Sequence, residues 1–165
     1  MQPSDNKRLS QTSLPAPLAL PLKVMPAFVH NTMLLAALNR VFSNELIDGE
    51  LDFLHGNIVL IKIQDVGIEY RFTLKNNRLI TAGKNHEADL VLQGTVYSYL
   101  LLASRKEDTD ALFFSRRLHM QGDTELGLHI KNFLDGMDMD THKTPARLEK
   151  ILKKSLPVYE RLFSR

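Results

Sequence analysis

The chain has 165 residues and a mass of 18.8 kDa, and its 44% hydrophobic and 24% charged residues are typical of one globular domain with a short extra arm. It contains no cysteine, which excludes disulfide bonds and a thiolate nucleophile and fits a reducing cytosol. The net charge of +2 is unevenly distributed along the chain. Residues 1–26 hold three basic side chains and one acidic side chain, and residues 143–165 hold seven basic and two acidic side chains. The residues between them carry a net charge of −5. Because no broad basic face falls on the fold, this layout argues against nucleic-acid binding and favours basic ends that reach an anionic lipid or protein surface.

The amino-terminal 26 residues predict a disordered or extended arm. Residues 1–13 are polar, and residues 14–26 contain four of the seven prolines, which prevent a regular helix. The apolar stretch over residues 14–38 is interrupted by those prolines and by polar side chains, so neither a membrane-spanning helix nor a secretory signal fits. We therefore expect a cytoplasmic protein, in peripheral contact with the inner membrane if its basic ends reach it.

The first regular elements are a helix and two strands. Apolar residues from Ala27 to Leu46 recur mostly three and four apart and predict a helix, which ends before a turn at Asp48-Gly49. The continuous apolar run at residues 58–63 predicts a central strand buried on both faces. Strict alternation over residues 68–74 predicts a half-buried antiparallel strand.

Two further short strands and a helix follow. Asn76-Asn77 predicts a hairpin turn because asparagine tolerates positive φ. Residues 79–80 and 88–92 then supply short strands. Thr95 is suited to cap a helix over residues 96–104.

The remaining elements complete the fold class. Asp108 or Thr109 caps a short helix that ends at Phe114, residues 117–121 alternate as a fifth strand, and Asp123 caps a third helix. The order is helix, four strands, two helices, strand, helix. This order predicts an α+β fold with a five-stranded, mostly antiparallel sheet covered by helices.

Residues 143–165 predict a basic amphipathic helix or tail, with Thr144 and Pro145 at its start and Pro157 interrupting it. This helix could lie in a membrane interface, close the domain's own apolar opening, or dock on a partner, and packing on its own domain is the plainest alternative. The pair Arg116-Arg117 is either solvated or contacts phosphate, whose geometry suits the arginine fork. The basic candidates for membrane or headgroup contact are Arg116, Arg117, Arg147, Lys150, Lys153 and Lys154.

No catalytic or metal-binding motif occurs in the sequence. His119 and His129 could approach Asp123 or Glu125 as a weak metal site, but their spacing favours partly exposed polar positions. The aspartates at positions 135, 138 and 140 lack the further ligands of a calcium loop. We therefore predict no enzyme activity, no metal and no cofactor.

A dense set of apolar residues lies in and near the carboxy-terminal third of the predicted domain. Such residues fill the core of any domain, and composition cannot distinguish a filled core from a tunnel. As the apolar wall of a lipid cavity we predict Leu101, Phe113, Phe114, Leu118, Met120, Leu126, Ile130, Phe133, Leu134 and Met137.

Residues 108–135, DTDALFFSRRLHMQGDTELGLHIKNFLD, resemble a segment of the sterol carrier protein type 2 family, in which a short helix, a strand ending in Gly-Asp or Gly-Asn, and a helix follow one another. Here that pair is Gly122-Asp123, and residues 48–54 and 88–91 are further matching pieces. The resemblance covers about residues 27–140. It implies a five-stranded sheet with helices that enclose an apolar tunnel for lipids.

Within that family the segment is similar to accessory factors of ubiquinone biosynthesis. This implies a non-catalytic, lipid-binding role in oxygen-independent ubiquinone synthesis, with an isoprenoid quinone intermediate or phospholipid as ligand and iron–sulfur hydroxylase proteins of the UbiU and UbiV type as partners. The alternative is an interaction module that docks an apolar surface on a partner protein without lipid. The predicted organisation is an arm at 1–26, a sterol-carrier-like domain at 27–142 and the basic tail at 143–165.

Overall fold

The computed structural model describes residues 26–136 and the single residue Pro157. The predicted arm, apart from Pro26, and the predicted basic tail, apart from Pro157, lie outside the described residues. The same holds for the predicted cavity residue Met137 and for the predicted headgroup contacts Arg147, Lys150, Lys153 and Lys154.

The first helical segment is two helices rather than the predicted one. Helix α1 spans Ala27–Val41, and helix α2, Ser43–Ile47, follows after Phe42, whose φ of −98° and ψ of 24° leave the helical region. A 3₁₀ turn, Asp52–Leu54, which the sequence did not predict, leads into the sheet.

The five strands form one sheet in the order β3-β2-β1-β4-β5. The pair β1–β4 is parallel and the other three pairs are antiparallel, which confirms the predicted α+β class with a mostly antiparallel sheet. Strand β1 lies at the centre, as the apolar run predicted. The strands are β1 Val59–Ile63, β2 Ile68–Lys75, β3 Arg78–Thr81, β4 Leu90–Gly94 and β5 Leu118–Gly122.

The hairpin turn and the helix caps at Thr95 and Asp123 form as the sequence predicted. Asn76 and Asn77 have φ of 50° and 54°, the left-handed conformation that asparagine tolerates. Thr95 caps α3, Val96–Ser104, because its hydroxyl accepts a hydrogen bond from the Ser98 backbone N–H at 3.2 Å. Asp123 caps α5, Thr124–Gly136, through a 2.9 Å bond from the Leu126 N–H. Asp108 precedes α4, Thr109–Phe114, without a side-chain cap bond.

Asn39 of α1 closes the exposed edge of the sheet at β3. Its side-chain Nδ2 donates to the Leu79 carbonyl and its Oδ1 accepts from the Leu79 N–H, both at 2.8 Å. The amide thus takes the place of a neighbouring strand at Leu79, whose N–H and carbonyl could otherwise pair with another strand. The same two bonds hold α1 against the sheet.

The two faces of the sheet differ in polarity. Strand β1 turns Val59, Ile61 and Ile63 to one face, and the register places side chains such as Phe72 of β2 on that face. The helices α1 and α5 and the 3₁₀ turn pack on it. The other face carries polar side chains such as Lys62, which pairs with Glu69 of β2 at 3.3 Å. The apolar face is therefore the one that these helices cover.

Candidate functional site

A cavity of about 780 Å³ lies between the apolar face of the sheet and the helices. Its wall is built from α1, the 3₁₀ turn, strands β1 to β4, α3, the connection to α4, and the last turns of α5. The apolar lining residues are Leu34, Ala37, Leu38, Val41, Phe42, Leu51, Phe53, Leu54, Val59, Ile61, Ile63, Phe72, Leu79, Leu92, Leu102, Ala103, Ile130, Phe133 and Leu134.

Ile61 shows that this volume is not filled by side chains. It lies at the middle of the central strand, flanked by β2 and β4, yet its side chain is only partly buried. Because helices cover this face of the sheet, the accessible surface of Ile61 faces the cavity. A residue at this position in a close-packed core would be fully buried.

Three aromatic rings hold one wall of the cavity together. Phe133 of α5 meets Phe42 edge-on, with ring centroids 5.4 Å apart, and Phe53 of the 3₁₀ turn at 6.4 Å. Each such pair stabilises its contact by about 0.5–1.5 kcal/mol beyond burial. Phe53 also stacks on His129 at 5.4 Å. These contacts hold α5 against the junction of α1 and α2 and against the 3₁₀ turn.

Tyr99 contributes its ring to the wall while its polar atom is satisfied elsewhere. Its hydroxyl donates to the Leu92 carbonyl at 2.9 Å, with the Lys62 carbonyl at 3.4 Å. Burial raises the pKa of Tyr99, and to a smaller degree that of Tyr70 on β2, above the usual tyrosine value. Tyr99 therefore stays neutral and adds no charge to the cavity.

The charged lining residues form a rim at one end of the cavity. The charged rim consists of Arg105, Glu107 and Asp108, from the α3–α4 connection, and Asp135, from the end of α5. The exposed side chains of Asp108 and Asp135 open this end to solvent. The site therefore combines an apolar interior with a charged opening, which is the distribution that an amphiphile requires.

Two rim carboxylates are neutralised by neighbours. Glu107 accepts a 2.8 Å bond from Arg117. Asp135 pairs at 2.9 Å with Lys131, which also reaches Asp110 of α4 at 2.9 Å. The hydrogen bonds that the Lys131 ammonium donates to Asp135 and, to a smaller degree, to Asp110 raise its pKa. The pair of Lys131 with Asp110 ties α5 to α4.

Three of the predicted cavity residues line this cavity, namely Ile130, Phe133 and Leu134. The others lie elsewhere among the described residues. Leu101 and Leu118 are buried with Leu112 in a separate cluster, against which Phe113 packs. Met120 and Leu126 belong to the main core, and Phe114 is 86% exposed. Whether any of them contacts lipid stays a prediction.

The predicted headgroup residues within the described part of the chain differ from one another. Arg117 is engaged by Glu107, whereas Arg116 is exposed and has a φ of 58°. The prediction omitted Arg105, which lines the cavity. It also omitted the stripe of α1 and the alternating residues of β1 and β2, although their apolar periodicity was visible in the sequence.

The described residues bring together no group of three or more histidine, aspartate or glutamate side chains that could hold a metal ion. His129, considered above as a ligand, stacks on Phe53 and lies 3.9 Å from Glu125. None of the helices in the described ranges is long and apolar enough to cross a membrane.

The sheet, its covering helices and the cavity between them point to a class of protein. The chain matches the SCP-2 sterol transfer family over residues 35–135 and belongs to that family. More particularly, it is 36% identical over 126 residues to the ubiquinone biosynthesis accessory factor UbiT of Escherichia coli (strain K12). The aligned region covers 76% of this chain and 72% of that protein. UbiT of Escherichia coli O157:H7 matches to the same extent. The chain is therefore a homologue of UbiT, as the sequence resemblance implied.

A solved structure shows the same fold. The UbiJ-SCP2 ubiquinone synthesis protein superposes with a TM-score of 0.54 at 16% identity, covering 65% of this chain and 94% of that one. At this identity the similarity shows the fold alone.

Proposed function

We propose that this protein binds an isoprenoid quinone intermediate or a phospholipid in its cavity and serves ubiquinone biosynthesis as an accessory factor that catalyses no reaction itself. The observation that carries the proposal is the cavity of about 780 Å³ with an apolar interior and a charged rim, in a homologue of UbiT. Ligand sites commonly measure about 300–1,000 Å³, so the volume suits a lipid tail.

The chemistry of the wall favours a lipid over water. An ordered interior water needs two to four polar partners. The Tyr99 hydroxyl, a polar group of the interior, is already bonded to backbone carbonyls. Each methylene of a tail that enters such a site contributes about 0.8 kcal/mol, before the cost of immobilising the chain.

We infer a carrier role in oxygen-independent ubiquinone synthesis, in which the protein holds a poorly soluble intermediate for partner enzymes. Proteins of the UbiU and UbiV type are the proposed partners, and the proposed location is the cytoplasm with peripheral contact to the inner membrane. The charged rim supports this role, because it leaves one end of the cavity open to solvent and to partners.

Complementation of an Escherichia coli strain that lacks its own UbiT tests this function. We expect the full-length chain to restore the ubiquinone content of cells grown without oxygen, measured by mass spectrometry of lipid extracts. Leu134→Glu places a carboxylate in the cavity wall and should abolish the rescue.

Leu128→Glu is the matched control, because Leu128 lies on the same helix, is 57% exposed and is absent from the cavity wall. It should restore ubiquinone as the native chain does. Both variants must first unfold cooperatively on heating. Failure of the native chain to restore ubiquinone would contradict the biosynthetic role, and rescue by folded Leu134→Glu would favour docking on a partner without lipid.

A further inference from the structure

Arg105 has a backbone conformation that its residue type does not favour. It ends α3 with a φ of 49° and a ψ of 31°, the left-handed region in which helix ends usually place glycine or asparagine. An arginine there is less favourable than glycine, because its Cβ crowds the following carbonyl oxygen. The local turn alone gives no reason for arginine, so its side chain is the feature to explain.

Arg105 lines the cavity, and no acidic side chain pairs with it among the described residues. The other cations near the rim are engaged, Arg117 by Glu107 and Lys131 by Asp135. Arg105 is also half-buried. A half-buried cation beside an apolar interior is stabilised when an anion pairs with it. No side chain of the described residues supplies that anion, so a ligand can.

We propose that Arg105 binds an oxyanion, carboxylate or phosphate, on the head of an amphiphile whose tail occupies the cavity. The inference rests on the proposed lipid-binding function and extends it, because it restricts the ligand to anionic amphiphiles. The planar guanidinium donates two parallel N–H bonds to either oxyanion. The buried Thr109, which lines the same end, carries a hydroxyl that can add a third.

Asp108 limits the charge of the head that the rim accepts. Its carboxylate lies on the same rim, makes no cap bond to α4, and has no cationic partner among the described residues. Like charges repel, so Asp108 opposes an anion at Arg105. Asp108→Asn should therefore tighten the binding of an anionic amphiphile.

Three probes with one oleoyl tail and different heads test the proposal on the full-length chain. They are oleate, oleoyl lysophosphatidic acid and the neutral monoolein, each measured by displacement of a fluorescent fatty acid. Arg105→Gln should weaken binding of at least one anionic probe about tenfold, the usual effect of a charge-assisted hydrogen bond, and leave monoolein unchanged. Loss confined to oleate identifies a carboxylate head, and loss confined to the lysophospholipid identifies a phosphate head.

Arg78→Gln is the matched control. Arg78 opens β3, is exposed and lies outside the cavity wall, so its loss should change no affinity. If Arg105→Gln does not fold, Arg105→Lys keeps the charge without the fork and should lose part of the anion's advantage. An unchanged affinity for both anions, or an equal loss for all three probes, would overturn the role of Arg105. If the native chain binds none of the probes, the lipid-binding function itself fails.

Discussion

The substitution Ile61→Trp should be tolerated, although it enlarges a residue at the centre of the sheet. In a filled core an oversized side chain costs about 1–3 kcal/mol, because neighbours must move. Ile61 instead faces a cavity of about 780 Å³, which can accept the indole. We expect the free energy of unfolding to change by less than about 1 kcal/mol.

The same indole should compete with the lipid for space. The side-chain volume of tryptophan exceeds that of isoleucine by roughly two methylene groups. The indole therefore excludes about two methylenes of the ligand, each of which contributes about 0.8 kcal/mol, so binding weakens by about 1.6 kcal/mol. The affinity for an oleoyl probe should fall about 15-fold. Because the chain contains no tryptophan, this indole can be excited selectively, and its emission should shift when the probe enters.

Leu112→Trp is the control in a filled region, because Leu112 has no exposed surface and lies outside the cavity wall. Urea unfolding followed by circular dichroism should show its midpoint lowered by about 1 M or more, and that of Ile61→Trp by less than about 0.7 M. Probe affinity should not change in Leu112→Trp. Equal destabilisation by the two substitutions would refute the view that Ile61 borders open space.

Three further changes have outcomes set by the structure and the charge pattern. Gly122→Ala should lower the free energy of unfolding in urea by about 3 kcal/mol, because a Cβ at a φ of 124° would collide with the Asp89 carbonyl oxygen. Gly56→Ala is the control and should lower it by only about 1 kcal/mol, because open space surrounds Gly56. Equal losses would contradict the close approach at Gly122. Burial raises the pKa of Tyr99 in the folded state. The free energy of unfolding should therefore be fully present below about pH 10 and fall above it by about 1.4 kcal/mol per pH unit. Tyr99→Phe should remove this part of the fall in alkaline unfolding curves, and an unchanged slope would contradict the burial. Flotation of the full-length chain with anionic liposomes should decrease as the salt concentration rises, because salt screens the basic charge of residues 145–165. A chain that lacks these residues should not float. Equal flotation of the two chains would exclude the tail as the membrane contact.

The sequence predicted the elements well where local chemistry decides them. The Asn76-Asn77 turn and the caps at Thr95 and Asp123 depend on the side chain's own preference for a backbone conformation or for a nearby N–H. The break at Phe42 does not, because apolar periodicity continues through it. The parallel pairing of β1 with β4 was also beyond local reasoning, since it depends on contacts between segments far apart in sequence.

The cavity was harder to predict than the core. A residue that lines a cavity and one that fills a core are both apolar and equally spaced, so Leu118 and Leu134 looked alike in the sequence, although only Leu134 reaches the cavity. Phe114 completed an apolar run but ends its helix in solvent. Arg105 gave no signal, because neither its left-handed backbone nor its place on the rim follows from its neighbours in sequence.

The central claim is that the cavity carries a lipid, and native mass spectrometry of the full-length protein, purified without detergent, tests it most directly. We expect a species heavier than the bare chain by the mass of one lipid, and organic extraction of the same sample should release that molecule with an isoprenoid or acyl tail and an anionic head. The Leu134→Glu variant should give the bare chain, and Leu128→Glu should retain the lipid. A native protein that shows only the mass of the bare chain and yields no lipid on extraction would contradict the account.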